Sequence, residues 1–209
     1  MKRYRINEIF YSIQGEGYYA GTPAVFVRFS GCNLKCPFCD TDFKKFKEMT
    51  AKEILDEVNE ANYGRTHLII VTGGEPALQW DKELSDMLRN SGDGYFVSME
   101  SNGTQKINGK VDYLTISPKS QWISEAQILT ENFKLCDELK VVVDENTDFE
   151  ILRDYPDFFE KEDLICYIQP CDTGFIRRND EIMARCVEFV KMFPSWYISL
   201  QQQKILKIR

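Results

Sequence analysis

Six short β-rich runs punctuate the chain, at 24–29 (AVFVRF), 68–72 (LIIVT), 95–100 (YFVSME), 113–116 (YLTI), 139–143 (LKVVV) and 164–169 (LICYIQ). They are apolar almost throughout rather than alternating. Such strands must be covered on both faces, as in a parallel sheet whose crossover connections are helices. Helical periodicity does lie between several of them. In 51–62, Ile54, Leu55, Val58 and Ala61 share one face, and Thr50 with Glu53 three residues later forms a capping-box pattern. Leu84, Met87 and Leu88 mark a second helix, and Ile182, Ala184, Cys186, Val187, Phe189 and Val190 a third. Six units of this kind predict an α/β fold, an incomplete (βα)6-type partial TIM barrel rather than a full eight-stranded one. The 209 residues carry no internal repeat and no Pro/Ser/Gly linker, so one domain spanning 1–209 is expected.

Charge narrows the function classes. Lys and Arg total 26 against 33 Asp and Glu, a net charge of −7. No bulk positive field is available to grip a phosphate backbone, which argues against a nucleic-acid partner. The longest apolar run, 164–168, is far too short to span a membrane. Lys2, Arg3 and Arg5 are followed by no apolar stretch, so no secretory signal is read here, and a soluble cytoplasmic protein is expected. Seven cysteines are an odd number, and a chain of this length needs no disulfide staples. Cys136, Cys166, Cys171 and Cys186 are scattered, whereas Cys32, Cys36 and Cys39 are clustered.

The residues at the strand ends point to one site. The runs lead into Ser30-Gly31-Cys32, Gly73-Gly74-Glu75-Pro76, Ser101-Asn102-Gly103, Ser117-Pro118-Lys119 and Pro170-Cys171-Asp172. Any one of these reads as an ordinary turn. Together they place small, polar and chargeable residues at the C-terminal edge of a parallel sheet, where α/β folds bind ligands.

The cysteine cluster has the spacing C-x3-C-x2-C. Three thiolates on one loop can hold a [4Fe–4S] cluster, which ordinarily takes four cysteines; three leave one iron open to a ligand. Structural zinc is the competing reading and needs a fourth ligand. The single histidine, His67, precedes a strand, and no fourth cysteine stands at finger-like spacing.

With Phe38 one position before the last cysteine, and Gly73-Gly74-Glu75-Pro76 closing the next strand, the pattern resembles the radical S-adenosylmethionine (SAM) superfamily. The N-terminal run from Glu8 through Ser12-Ile13-Gln14-Gly15-Glu16-Gly17 narrows the resemblance to the 7-carboxy-7-deazaguanine synthases of queuosine and deazapurine biosynthesis. So do Gly21-Thr22-Pro23, Cys39-Asp40-Thr41-Asp42, Ile116-Ser117-Pro118-Lys119, Glu138-Leu139-Lys140 and Ile168-Gln169-Pro170. The resemblance implies a lyase that converts 6-carboxy-5,6,7,8-tetrahydropterin to 7-carboxy-7-deazaguanine by radical ring contraction with loss of ammonia. It also implies a [4Fe–4S] cluster, SAM and Mg2+, a flavodoxin- or ferredoxin-like electron donor, and a homodimer.

Carried over residue by residue, it assigns the cluster to Cys32, Cys36 and Cys39, and Mg2+ to Thr41. SAM falls to Phe38, Cys39, Asp40, Gly73, Gly74, Glu75, Glu100, Asn102, Ser117, Pro118, Lys119, Gln169, Pro170, Cys171 and Asp172. The pterin falls to Ile13, Gln14, Gly15, Glu16, Arg28, Thr72 and Arg209. Gln14 offers both donor and acceptor, and Arg28 suits a carboxylate. One departure stands out. Gln203 occupies a position where the family is expected to carry histidine, so no proton transfer can run through it.

Several residues keep two readings. Arg28, inside an apolar strand, needs either a ligand or an internal acid. Glu100 and Lys140 pair with each other or with ligand. Among Phe10, Tyr11 and Phe43 no stacking partner can be singled out. Two other functions compete: a small radical SAM activase that places a glycyl radical on a partner protein, and a non-catalytic zinc-binding module.

Overall fold

A computed structural model describes residues 1–37, 39, 45–92, 94–159 and 161–208. Among the described residues nine strands form a single sheet in the order β3-β1-β2-β4-β5-β6-β7-β8-β9. The six expected strands are β2 (Pro23–Phe29), β4 (Leu68–Gly73), β5 (Phe96–Ser101), β6 (Tyr113–Ile116), β7 (Glu138–Val143) and β8 (Ile165–Pro170). They are parallel neighbours in that order. β9 (Trp196–Ile198) adds a seventh parallel strand, while β1 (Tyr4–Ile13) and β3 (Lys47–Met49) extend the other edge antiparallel. The result is an open, mostly parallel barrel sheet.

The helices form where caps and periodicity dictate. Thr50 accepts from the Glu53 backbone and Glu53 reaches back to Thr50, closing the capping box of α1 (Ala51–Asn62). Asp81 caps α2 (Lys82–Arg89) at the Leu84 amide. Three short helices, α3 (Thr130–Leu135), α4 (Phe149–Arg153) and α6 (Gln202–Leu206), accompany the long α5 (Ile176–Met192). On α5 the buried stripe is Ile182, Cys186 and Phe189; Ala184 and Val187 face outward, correcting the broader apolar face expected from the sequence. Between β5 and β6 the connection contains no helix.

Period-two alternation then divides the core. Val25, Val27, Phe29, Ile69, Val71, Val97, Met99, Leu139 and Val141 pack on the helix side. The intervening residues face inward. Low in the strands these are apolar, with Phe10, Ala24, Phe26, Leu68 and Ile70 packed together. Towards the C-terminal ends they become Arg28, Thr72, Glu100, Lys140 and Gln169, all lining one cavity. β2, β4, β5, β7 and β8 thus each bring at least one polar side chain to that cavity.

Candidate active site

That cavity has a volume of about 360 Å³. The thiols of Cys32, Cys36 and Cys39 line it from the loop after β2, and Gly73 and Gly74 from the end of β4. Asn102, Ser117, Lys119, Pro170, Cys171 and Asp172 complete the strand-end rim. Ile13, Gln14, Gly15 and Glu16 arrive from the opposite direction. Because β1 runs antiparallel to β2, the 14–22 loop leaves at the foot of β2 and folds up against the barrel interior. It is braced there by Gln14 N–H to the Thr22 carbonyl and Gly21 N–H to the Gln14 carbonyl.

The floor is a buried ionic network. Lys140, 4% exposed, donates to Glu16 Oε2 at 2.7 Å and to Glu100 Oε1 at 3.3 Å. Glu100 also accepts from Gln14 Nε2 at 3.1 Å and from the Thr72 hydroxyl at 2.9 Å. Burial alone would raise the Glu16 carboxyl; the Lys140 ammonium and the side-chain amides of Gln203 and Gln201 outweigh it and hold it down to about 2. For Lys140 burial works to lower the pKa, and the carboxylates of Glu100, Glu16 and Glu138 overcome it, keeping the ammonium charged. Glu138, beneath this layer, is raised by burial while it accepts from the Tyr18 amide and the Tyr113 hydroxyl. At the mouth, burial pushes the Lys119 ammonium down to about 8, and its Nζ is held by Ser117.

The C-terminal segment closes one side. Gln201 and Gln203 each donate an amide N–H to Glu16 Oε1, the Gln202 backbone amide donates to the Gly15 carbonyl, and Lys204 pairs with Asp172. Gln203 therefore ties the chain end to the loop through an amide that does not itself titrate. Its orientation is forced: Nε2 must face the carboxylate, so Oε1 turns onto Gly15, where a Cβ would lie 1.8 Å from it.

Two residues carried over from the resemblance stand behind the cavity instead of lining it. Glu75 is fully buried, its carboxylate accepting from the Ala77 amide, the Ser101 hydroxyl and the Asn102 amide. It fixes the turn from beneath, and its side chain does not line the cavity. Pro118 is buried as well. Phe38, Asp40, Thr41 and Arg209, together with the aromatic Phe43, lie outside the described residues. Sequence reading passed over Phe26, Val142, Gln201 and Lys204 as cavity residues, while Phe10 and Ser101, both named from the sequence, do line it. The inward parity of β2 and β7 was the available signal for Phe26 and Val142. The open choices resolve: Lys140 pairs with Glu100, and Arg28 pairs with Glu8 while also lining the cavity.

The loop suits a cluster. All three cysteines are free, and Cys32 Sγ accepts the Leu34 amide at 3.4 Å, the kind of N–H···S bond that stabilises a cluster thiolate. Burial raises the Cys32 and Cys36 thiols, so as free groups they stay protonated until a metal takes them. His67 is exposed before β4 and does not line the cavity, so it supplies no fourth ligand beside these cysteines.

Comparison with known proteins agrees with this geometry. The radical SAM superfamily model matches residues 26–120. The chain is 41% identical over 206 residues to a 7-carboxy-7-deazaguanine synthase of Bacteroides thetaiotaomicron, covering 98% of both chains. It is 33% identical to the enzyme of that name from Haemophilus influenzae, covering 98% of this chain and 94% of the other. The chain belongs to the 7-carboxy-7-deazaguanine synthase family. It is accordingly a radical SAM enzyme, of the class that carries a [4Fe–4S] cluster and SAM. The crystal structure of QueE from Escherichia coli shares its fold, with a TM-score of 0.81 at 24% identity over 95% of this chain and 94% of that one. The zinc-module reading is thereby set aside.

Proposed function

We propose that the cavity converts 6-carboxy-5,6,7,8-tetrahydropterin to 7-carboxy-7-deazaguanine and ammonia. The observation that supports this most is the meeting, in one cavity, of the cysteine loop with a polar floor built from the 14–16 segment, Arg28, Thr72, Glu100 and Lys140. The conversion is redox-neutral, since substrate has the composition of product plus ammonia, so the protein has only to bind, orient and exclude water.

Cys32, Cys36 and Cys39 would hold the cluster, and Gly73, Gly74, Asn102 and Ser117, which line the same cavity, would receive SAM. Cluster and SAM together supply a 5′-deoxyadenosyl radical able to take a hydrogen from C6 of the pterin. Gln14 meets the polar edge of the pterin, and Glu100, on the SAM side, is fixed by three donors so that its position does not depend on a ligand. Thr72 supports Glu100, and Arg28 receives the substrate carboxylate as a charge-assisted pair. Gln201 and Gln203 hold the chain end over this side and limit water entry. Thr41, carried over from the resemblance, would be the protein's ligand for Mg2+, a hard ion that keeps few protein ligands. A flavodoxin- or ferredoxin-like donor, a homodimer, a single domain over 1–209 and a cytoplasmic setting complete the proposal; no helix among the described residues is long and apolar enough to cross a membrane.

The test offers the anaerobic, reduced, reconstituted protein two substrates in parallel, the tetrahydropterin and a glycyl-radical enzyme. Consumption of the pterin with stoichiometric ammonium is the expected result. A glycyl radical signal on the protein substrate, with the pterin untouched, would overturn it in favour of an activase.

A further inference from the structure

Glu8 opens the N-terminal motif, yet none of the roles above uses it. Its place in β1 is unusual. At the start of the strand the even-numbered Tyr4 and Ile6 are buried on the helix side of the sheet. One extra residue then shifts the register between Ile6 and Glu8. Beyond it the odd-numbered Ile9 and Tyr11 pack on the helix side, and Phe10 turns to the inner face. A bulge has this consequence because an added residue in a period-two strand sends every later side chain to the opposite face.

The shift sets Glu8 opposite Arg28 and Phe10 opposite Phe26 in the β1–β2 ladder. Phe10 and Phe26 stack with centroids 5.0 Å apart and planes 6° from parallel. Arg28 is then held twice. Its Nε donates to Glu8 Oε1 at 2.9 Å, and its guanidinium lies over the Phe10 ring, 5.9 Å from the centroid. Without the bulge, Asn7 would face Arg28 and Glu8 would point to the helices.

Nε is the guanidinium donor set back from the tip of the fork. A carboxylate bound there fixes the plane of the group and leaves the two terminal nitrogens for a second, bidentate partner. We propose that Glu8 is a positioning residue: it orients the Arg28 guanidinium through Nε so that the terminal N–H groups are presented to the carboxylate of the bound substrate. This deepens the function proposed above and rests on Arg28 as the carboxylate-binding group. The gain is pre-organisation, because an Arg already held loses less side-chain freedom when the ligand arrives.

The experiment measures equilibrium binding of two fluorescent, unreactive probes to the reconstituted protein: 6-carboxypterin, and pterin without the carboxylate. Glu8→Ala and Glu8→Asn, the latter too short to reach Nε, are expected to weaken 6-carboxypterin roughly tenfold, the scale of one lost hydrogen bond to a charged group. Both should leave pterin unchanged. Glu8→Gln keeps an acceptor for Nε and should bind both probes like wild type, and it remains informative should the other variants fold poorly. Arg28→Ala should abolish the preference for the carboxylate, after which Glu8→Ala adds nothing in the double variant. Equal weakening of both probes would make Glu8 merely structural, and tighter 6-carboxypterin binding in the Glu8 variants would make it a competitor of the substrate; either overturns the proposal. A preference surviving in Arg28→Ala would instead refute the role given to Arg28, and with it that of Glu8.

Discussion

The ammonium of Lys140 lies 2.7 Å from the Glu16 carboxylate, joining the middle of β7 to the loop that rises between β1 and β2. Neither residue is close to the cysteine loop in sequence, yet together they build the floor of the cavity that the loop roofs. Removing Lys140 as Lys140→Met leaves Glu16 and Glu100 facing each other without a cation. Breaking a buried pair from one side costs about 3–5 kcal/mol, which for a chain this size lowers the melting temperature on the order of 10 °C. Calorimetry checks it; a variant that melts with wild type would deny the pair any structural role.

Acid stability carries the signature of Glu16. Its carboxyl falls from an ordinary 4.5 to about 2 in the fold, so its contribution is complete above about pH 4.5 and is lost as the pH falls from there towards 2. Glu75 and Glu138, raised by burial, act in the opposite direction, so the comparison is between wild type and Glu16→Gln. Denaturant unfolding at a series of pH values should show the stability gap opening between pH 2 and 4.5 and staying constant above. A gap independent of pH across that window would contradict the assignment.

Gly73 adopts φ +121°, and an added Cβ would lie 2.2 Å from the Phe29 carbonyl oxygen and 2.5 Å from its nitrogen. Gly73→Ala must therefore displace backbone, at a cost of roughly 3 kcal/mol or more. Loss of SAM binding should accompany the loss of stability. Gly64→Ala provides the control. It also has positive φ but meets nothing within 4 Å, and its cost should stay near ~1 kcal/mol.

Gln203→Glu sets a second carboxylate against Glu16 and should unlatch the chain end. Protease cleavage after Lys204 and Lys207 should accelerate, and the pterin KM should rise roughly tenfold with kcat less affected, as expected when like charges meet at a closed contact. Unchanged cleavage and kinetics would mean that the segment is held elsewhere.

Much of the fold was legible in the residues. Apolar runs at 24–29, 68–72 and 139–143 announced a covered parallel sheet, and the Thr50–Glu53 box a helix start. β1 escaped notice for a physical reason: its bulge reverses the apolar parity between Ile6 and Ile9, so no regular alternation exists to be read. β9, three residues long, and α6, with no buried residue, leave too little pattern to find. The cysteine loop and the strand ends were visible as chemistry. Of the floor, the Glu100–Lys140 pair was among the readings, whereas Glu16 reaches it only through the antiparallel return of β1. Glu75 shows the converse: a motif residue whose carboxylate serves the backbone of the next loop.

Mass spectrometry of the product tests the account most directly. Reduced, reconstituted protein is incubated anaerobically with SAM, Mg2+ and 6-carboxy-5,6,7,8-tetrahydropterin. The account predicts 7-carboxy-7-deazaguanine in wild type and none in Cys32→Ala. SAM cleavage to 5′-deoxyadenosine without the deazaguanine, in a protein carrying its full iron and sulfide, would contradict it.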